Sequence, residues 1–150
     1  MAKNNSQTLD AVNQYTDLER HFLVMRDSFR FHQNNIRKKY KISANEMEII
    51  LFISDHGPQR MKNVGERFGI KFSTLTSLVD KIERLNLVRR VNSKEDRRSI
   101  LITLTKKGRR MIEDYNSQVR QLAANLTEIT GEDKVPELTA TLEKVLPTLE

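Results

Sequence analysis

The sequence predicts a mainly helical chain carrying one small β-hairpin, an α+β class in which helices dominate. Three observations carry that expectation. Apolar residues recur in steps of three and four through most of the chain. No glycine or proline occurs before Gly57. From Leu87 to Leu104 the period shifts towards two, the spacing of a half-buried strand.

The first segment reads as a long helix, with Tyr15, Leu18, Phe22, Met25 and Phe29 on one stripe and the tract Ile36–Lys41 at its end. Ser43 and Glu46 have the spacing of a capping box, in which hydroxyl and carboxylate each satisfy a free backbone N–H. The helix they open, about 44–55, is apolar nearly all round through Met47, Ile49, Ile50, Leu51, Phe52 and Ile53, so it should be buried. His56-Gly57-Pro58 stops it. A short helix over about 61–68 has Met61, Val64 and Phe68 as its inner stripe, and Gly69-Ile70 makes a tight turn. The next helix spans about 72–86. Leu75, Leu78, Val79, Ile82 and Leu85 face inward, and Asn86 suits a left-handed cap.

Leu87–Asn92 and Ser99–Leu104 then read as two strands around a charged loop, residues 93–98. On the second strand Ile100, Ile102 and Leu104 share one face and Leu101 and Thr103 the other. Thr105 is a good N-cap for a long helix with Met111, Tyr115, Val119, Leu122, Leu126 and Ile129 on its stripe, broken at Gly131. A last helix, about 133–147, places Val135, Leu138, Leu142, Val145 and Leu149 at heptad-like spacing. No internal repeat is present.

Composition narrows the function classes. The chain has 150 residues, 37% hydrophobic and 31% charged, and no apolar run approaches the ~18 residues of a membrane span. Its first residues lack the apolar core of a signal peptide, so a cytoplasmic protein is expected. The absence of cysteine removes disulfides, thiolate metal sites and thiol redox sensing. His21, His32 and His56 are scattered without ligand spacing. No nucleophile–base pairing or glycine-rich phosphate loop stands out. Neither an enzyme nor a cofactor is expected.

The net charge of +6 is unevenly placed. Residues 57–110 hold 15 Lys and Arg against 5 Asp and Glu, a net of +10. Residues 1–56 are at +1 and residues 111–150 at −5. A basic middle between neutral and acidic flanks suggests a polyanion-facing module carried on a scaffold.

Helix, turn, helix and basic hairpin, in that order, form a winged helix-turn-helix. A helix of about a dozen residues fits the major groove of B-DNA. The outer side of the 72–86 helix carries Ser73, Thr74, Thr76, Ser77 and Lys81, with Lys71 just before it. These side chains are short or basic, as close approach to base edges and phosphates requires. The hairpin loop offers Lys94, Arg97 and Arg98 to the adjacent minor groove, where arginine senses groove width and potential. The amphipathic first helix and the heptad-spaced last helix have no obvious partner in so small a domain, and a second copy is the simplest one. A winged-helix protein-interaction module without specific DNA binding is the alternative. Such modules usually show an apolar patch or lack a basic wing.

Residues 43–108 closely resemble the MarR family of transcriptional regulators. The resemblance rests on Met61–Ile70, on Ser73–Glu83, on Leu87–Arg90 and above all on Glu95–Gly108, with its Asp-x-Arg, strand and Leu-Thr-x-x-Gly. It implies a homodimer built by residues 1–42 and 111–150 around a DNA-binding module at 43–110, intertwined as a single domain. The implied partner is a near-palindromic duplex operator, and the implied role that of a repressor. It further implies that Arg98 enters the minor groove with Asp96 holding it. It also implies response to a small aromatic or anionic ligand, for which Arg20, His21, Arg26 and Arg30 are the candidates. Ser77 stands where many members carry a basic residue, and Asn86 where many carry glycine.

Overall fold

Three helix ends in this chain use the same device, and it sets the path of the backbone. The computed structural model describes residues 3–93 and 99–149, with side chains described over 16–93 and 99–148. Helix α1 runs Lys3–Tyr40, α2 Ala44–His56, α3 Met61–Phe68 and α4 Phe72–Arg84. After α1, α3 and α4 the chain turns through a left-handed residue: Lys41 (φ 58°), Gly69 (φ 61°) and Asn86 (φ 58°). Each time, the N–H of that residue and the N–H of the residue after it fold back on the last turn. Ile42 N donates to Arg37 O, Ile70 N to Gly65 O and Leu87 N to Ile82 O, at 2.9–3.1 Å. This is the Schellman arrangement, which satisfies carbonyls that a helix end leaves open. Gly69 and Asn86 were readable as such residues. Lys41 was not, because lysine has no intrinsic preference for that conformation.

Strand β1 is only Gln59–Arg60, β2 is Val88–Asn92 and β3 is Ile100–Leu104. They form an antiparallel sheet in the order β1-β3-β2. The hairpin register pairs Val88 with Leu104, Arg90 with Ile102 and Asn92 with Ile100. The short β1, unanticipated from sequence, lies on the other side of β3, Gln59 opposite Ile102. Two residues cannot show a period, and β1 exists because β3 offers its free edge.

Helix α5 spans Lys106–Thr130 and α6 Val135–Val145, with short 3₁₀ turns at Glu132–Lys134 and Leu146–Leu149. The chain divides into two compact units, one ending at Tyr115 and one beginning at Asn116. Among the described residues no helix is long and apolar enough to cross a membrane.

The core of the first unit is one cluster. α2 gives Met47, Ile49, Ile50 and Ile53, α3 gives Val64, and α4 gives Leu75, Val79 and Ile82. Leu87, Val88, Ile102, Leu104 and Met111 complete it, with Ile36, Tyr40 and Ile42 arriving from the end of α1. Phe52 of α2 meets Phe68 of α3 edge-on, ring centres 5.7 Å apart. Ile100, expected to share the inward face of Ile102 and Leu104, is instead 49% exposed, because β3 has run past the core by that point.

The capping box at the start of α2 is formed: Glu46 N donates to the Ser43 hydroxyl at 3.3 Å and Ser43 N to the Glu46 carboxylate at 2.8 Å. Glu46 is nonetheless buried. The ammonium of Lys81 on α4 reaches its Oε2 at 2.9 Å, so one carboxylate both caps α2 and ties α2 to α4. A buried carboxylate needs such partners, since an unpaired one would be costly.

Asp114 gathers the end of α1 onto α5. Its carboxylate accepts from Lys39 Nζ at 2.6 Å and from the Tyr40 hydroxyl at 2.7 Å, and its carbonyl lies 3.0 Å from His32 Nε2. The Lys39 hydrogen bond, then that of Tyr40, holds the Asp114 carboxyl below its ordinary range. Burial, reinforced by the same contact, pushes the Tyr40 hydroxyl up to about 12. A carboxyl whose folded pKa is depressed stabilises fully above its unfolded value and loses that contribution as pH falls through the folded one. Asp114→Asn is therefore expected to cost about 1 kcal/mol at neutral pH. In urea unfolding the two proteins should converge as pH drops below the ordinary carboxylate range. A gap independent of pH would show that the ion pair is not its source.

Candidate nucleic-acid interface

The α3–turn–α4 unit is fixed from inside. Val64 on α3 and Leu75, Val79 and Ile82 on α4 are fully buried. That leaves the opposite side of α4 outward, because helical neighbours at three and four residues share a face. Ser73, Thr74 and Ser77 are exposed, Thr76 is half-buried and Lys71 precedes them in the open. The Thr76 hydroxyl donates to Phe72 O at 2.8 Å and the Ser77 hydroxyl to Ser73 O at 3.2 Å. Such bonds back to the previous turn set the rotamers and leave the hydroxyl lone pairs outward. The structure thus brings Ser73, Thr74, Thr76 and Ser77 together on the first two turns of one helix, with Lys71 at its N-cap. It places Lys81 differently: that ammonium is committed to Glu46, 2.9 Å away, while its side chain is 43% exposed.

The hairpin is braced against α4 by a group the sequence reading did not single out. Arg90 on β2 sends Nη2 to Asp80 at 2.6 Å and Nη1 to Glu83, and its backbone N donates to Glu83 at 2.9 Å. Burial opposes the guanidinium charge, and the two carboxylates more than offset it, so its pKa rises. The contact fixes the hairpin relative to α4. The single positive charge of Arg90 also offsets part of the charge of two carboxylates that would otherwise repel a polyanion from this face. The available signal was Asp80 and Glu83 at a spacing of three on a basic segment, followed by Arg89-Arg90.

Ser93 N donates to Ser99 O at 2.9 Å, which closes the described part of the hairpin. Lys94, Arg97 and Arg98, expected to meet the minor groove, and Asp96, expected to hold Arg98, lie outside the described residues. On the outer face of the sheet Arg60, Asn63, Arg89 and Thr103 line an open depression of about 690 Å³. Arg60 and Arg89 are both exposed there, and neither is among the DNA contacts expected from the sequence.

The cations suggested for a small ligand do not converge. Arg20 pairs with Asp17 at 3.1 Å, and Arg26 and Arg30 both reach Asp27, at 3.0 and 2.7 Å. Arg30, then Arg26, lowers the Asp27 pKa. The His21 ring bonds the Asp17 carbonyl. All four side chains are exposed, and the partners named here lie on their own helix.

Comparison with known proteins agrees with this geometry. Residues 32–115 match the family described as the transcriptional regulator SarA/Rot. The HTH-type transcriptional regulator YfiV of Bacillus subtilis is 28% identical over 97 residues, 64% of this chain. The match spans about three fifths (61%) of the length of YfiV. Among solved structures, a MarR family protein from Bacillus stearothermophilus superposes with a TM-score of 0.63 at 22% identity, covering 91% of this chain and 96% of that one. MepR of Staphylococcus aureus, solved as a complex with DNA, gives a TM-score of 0.66 at 18% identity, covering 86% and 97%. The fold is the winged helix-turn-helix of MarR-type regulators, as the motifs implied.

Proposed function

This chain belongs to the SarA/Rot family of transcriptional regulators, and from that premise we propose that it binds a specific duplex operator as a homodimer and represses transcription there. One observation carries the reading. The outward side of α4 presents Ser73, Thr74 and Ser77 in the open, beside a hairpin clamped to the same helix through Arg90, and both lie in the segment of net charge +10. A helix of 13 residues with small hydrogen-bonding side chains suits the major groove. Phosphate neutralisation by the surrounding Lys and Arg residues supplies affinity that falls steeply with salt. The DNA-bound state of MepR, which has the same fold, supports the choice of partner.

Two-fold association makes the operator an inverted repeat, its half-sites read roughly one helical turn apart. The support is the apolar surface left open on a single chain: Phe22 on α1 is 57% exposed, Ile129 on α5 81% and Leu142 on α6 47%.

Selection of duplexes from a random library by the purified protein tests the reading, with binding measured at two salt concentrations. The expected result is enrichment of an inverted repeat bound well above random sequence. Arg98→Ala should then weaken operator binding at least tenfold, about the loss of one groove contact of ~1–3 kcal/mol, without changing the melting temperature. Equal affinity for selected and random duplex would favour the protein-interaction module instead.

A further inference from the structure

Phe72 is the first residue of α4 and it is 67% exposed. Among the described residues it belongs neither to the core nor to the partly buried apolar side chains packed against it. The inward stripe of α4 is already filled by Leu75, Val79 and Ile82, each fully buried, and Phe72 does not join them. The ring leaves a large apolar area in water at the end of the helix where close approach to DNA is expected. It belongs to none of the helices assigned above to association of subunits.

Its position is specific. Phe72 and Thr76 are four residues apart and so share one ridge of the helix. The Phe72 carbonyl holds the Thr76 hydroxyl at 2.8 Å. Side chains of a first helical turn lean towards the N-terminus, past the end of the helix. In a helix-turn-helix that end of the second helix meets base edges. Lys71 and Ser73, its neighbours in sequence, supply the polar contacts, and an uncharged hydrocarbon ring has no use for a phosphate. Among the groups that base pairs expose in the major groove, one is a hydrocarbon: the C5 methyl of thymine.

The geometry points to Phe72 as a specificity-determining residue that reads a thymine methyl in each half-site. This rests on the DNA-binding reading above, and its test separates the two. The full chain is given the duplex it selects from a random library, and each thymine is replaced in turn by deoxyuridine. That removes the methyl and leaves every hydrogen-bonding edge intact.

For the wild type, one replacement in each half-site should weaken binding about fourfold, the scale of one methyl group taken out of water. The two together should weaken it about sixteenfold. Phe72→Ala should bind the thymine duplex more weakly by a similar factor and be indifferent to deoxyuridine at those positions. Phe72→Leu, which keeps an apolar contact, should retain part of the response. Because the residue is exposed, both variants should melt with the wild type. A wild type that binds its selected duplex but ignores every deoxyuridine replacement would overturn the assignment. So would a Phe72→Ala variant that keeps the full response, or one whose oligomeric state changes. A wild type that selects no duplex would remove the DNA-binding reading itself, and this assignment with it.

Discussion

Gly108→Ala is expected to destabilise the protein by about 3 kcal/mol or more and to lower its thermal midpoint by roughly 10 °C. A Cβ at Gly108 would lie 2.1 Å from the carbonyl oxygen of Leu87, where no pair of real atoms can stand, and 3.4 Å from a methyl of Leu104. The oxygen has nowhere to go. It accepts from Thr105 N at 3.1 Å and from the Thr105 hydroxyl at 3.2 Å, and the Leu87 side chain is fully buried. Leu87 also follows the left-handed Asn86 and donates its own N–H to Ile82 at 2.9 Å. Helix α5 would have to withdraw by about an ångström, in an interior that is close-packed. That would pull Met111, fully buried one turn on, out of the core. It would also open the N-cap in which Gly108 N donates to Thr105 Oγ1 at 3.0 Å.

Gly65→Ala is the matched control. A Cβ there meets only ordinary contacts at 3.5 Å, and α3 is helical around it, so the change should be neutral or stabilise by up to about 1 kcal/mol. Thermal unfolding followed by circular dichroism measures both. A Gly108→Ala midpoint within a couple of degrees of the wild type would show that the root of the hairpin yields more readily than its hydrogen bonds indicate.

What the sequence disclosed, and what it hid, follows the range of the interactions. Ser43 and Glu46 are three residues apart, and the capping box they form is local, so spacing alone revealed it. The stop at Gly69 and the left-handed Asn86 are likewise local. The same Glu46, however, receives Lys81 from 35 residues further on, and no local pattern separates a lysine aimed at a groove from one aimed at a buried carboxylate. The Arg90 brace on Asp80 and Glu83 was hidden for the same reason, although its charges stood in plain view. β1 was invisible because two residues acquire strand geometry only from the edge of β3. Of the interface, the Ser/Thr side of α4 was legible because its opposite is a clean apolar stripe. Phe72 escaped notice because an aromatic residue at the head of such a helix is ordinarily counted with the core.

On the proposed two-fold association, Leu142→Glu should convert the dimer to a monomer and lower operator affinity at least a hundredfold. From Asn116 to Thr148 no described side chain is buried, yet Leu126, Ile129, Leu142, Val145 and Leu146 are all at least 37% exposed. A helical stretch with an apolar stripe and no interior of its own gains by packing against another surface, each side chain contributing up to about 2–3 kcal/mol when fully covered. A carboxylate placed at the middle of that stripe reverses the gain, since an unpaired charge tolerates burial poorly. In a single chain Leu142 is 47% exposed, so glutamate there should leave the first unit, which carries α4 and the hairpin, folded. The binding loss follows from geometry. An inverted repeat offers two half-sites, and joining two modules multiplies affinity by roughly 10²–10⁴ over one. Sedimentation and operator titration should therefore change together, while Lys144→Ala, a polar neighbour on the same helix, should change neither. A Leu142→Glu protein that sediments as one chain and still binds with wild-type affinity would place the whole of recognition in a single winged module, and the two-fold symmetry proposed for the operator would then have no physical cause.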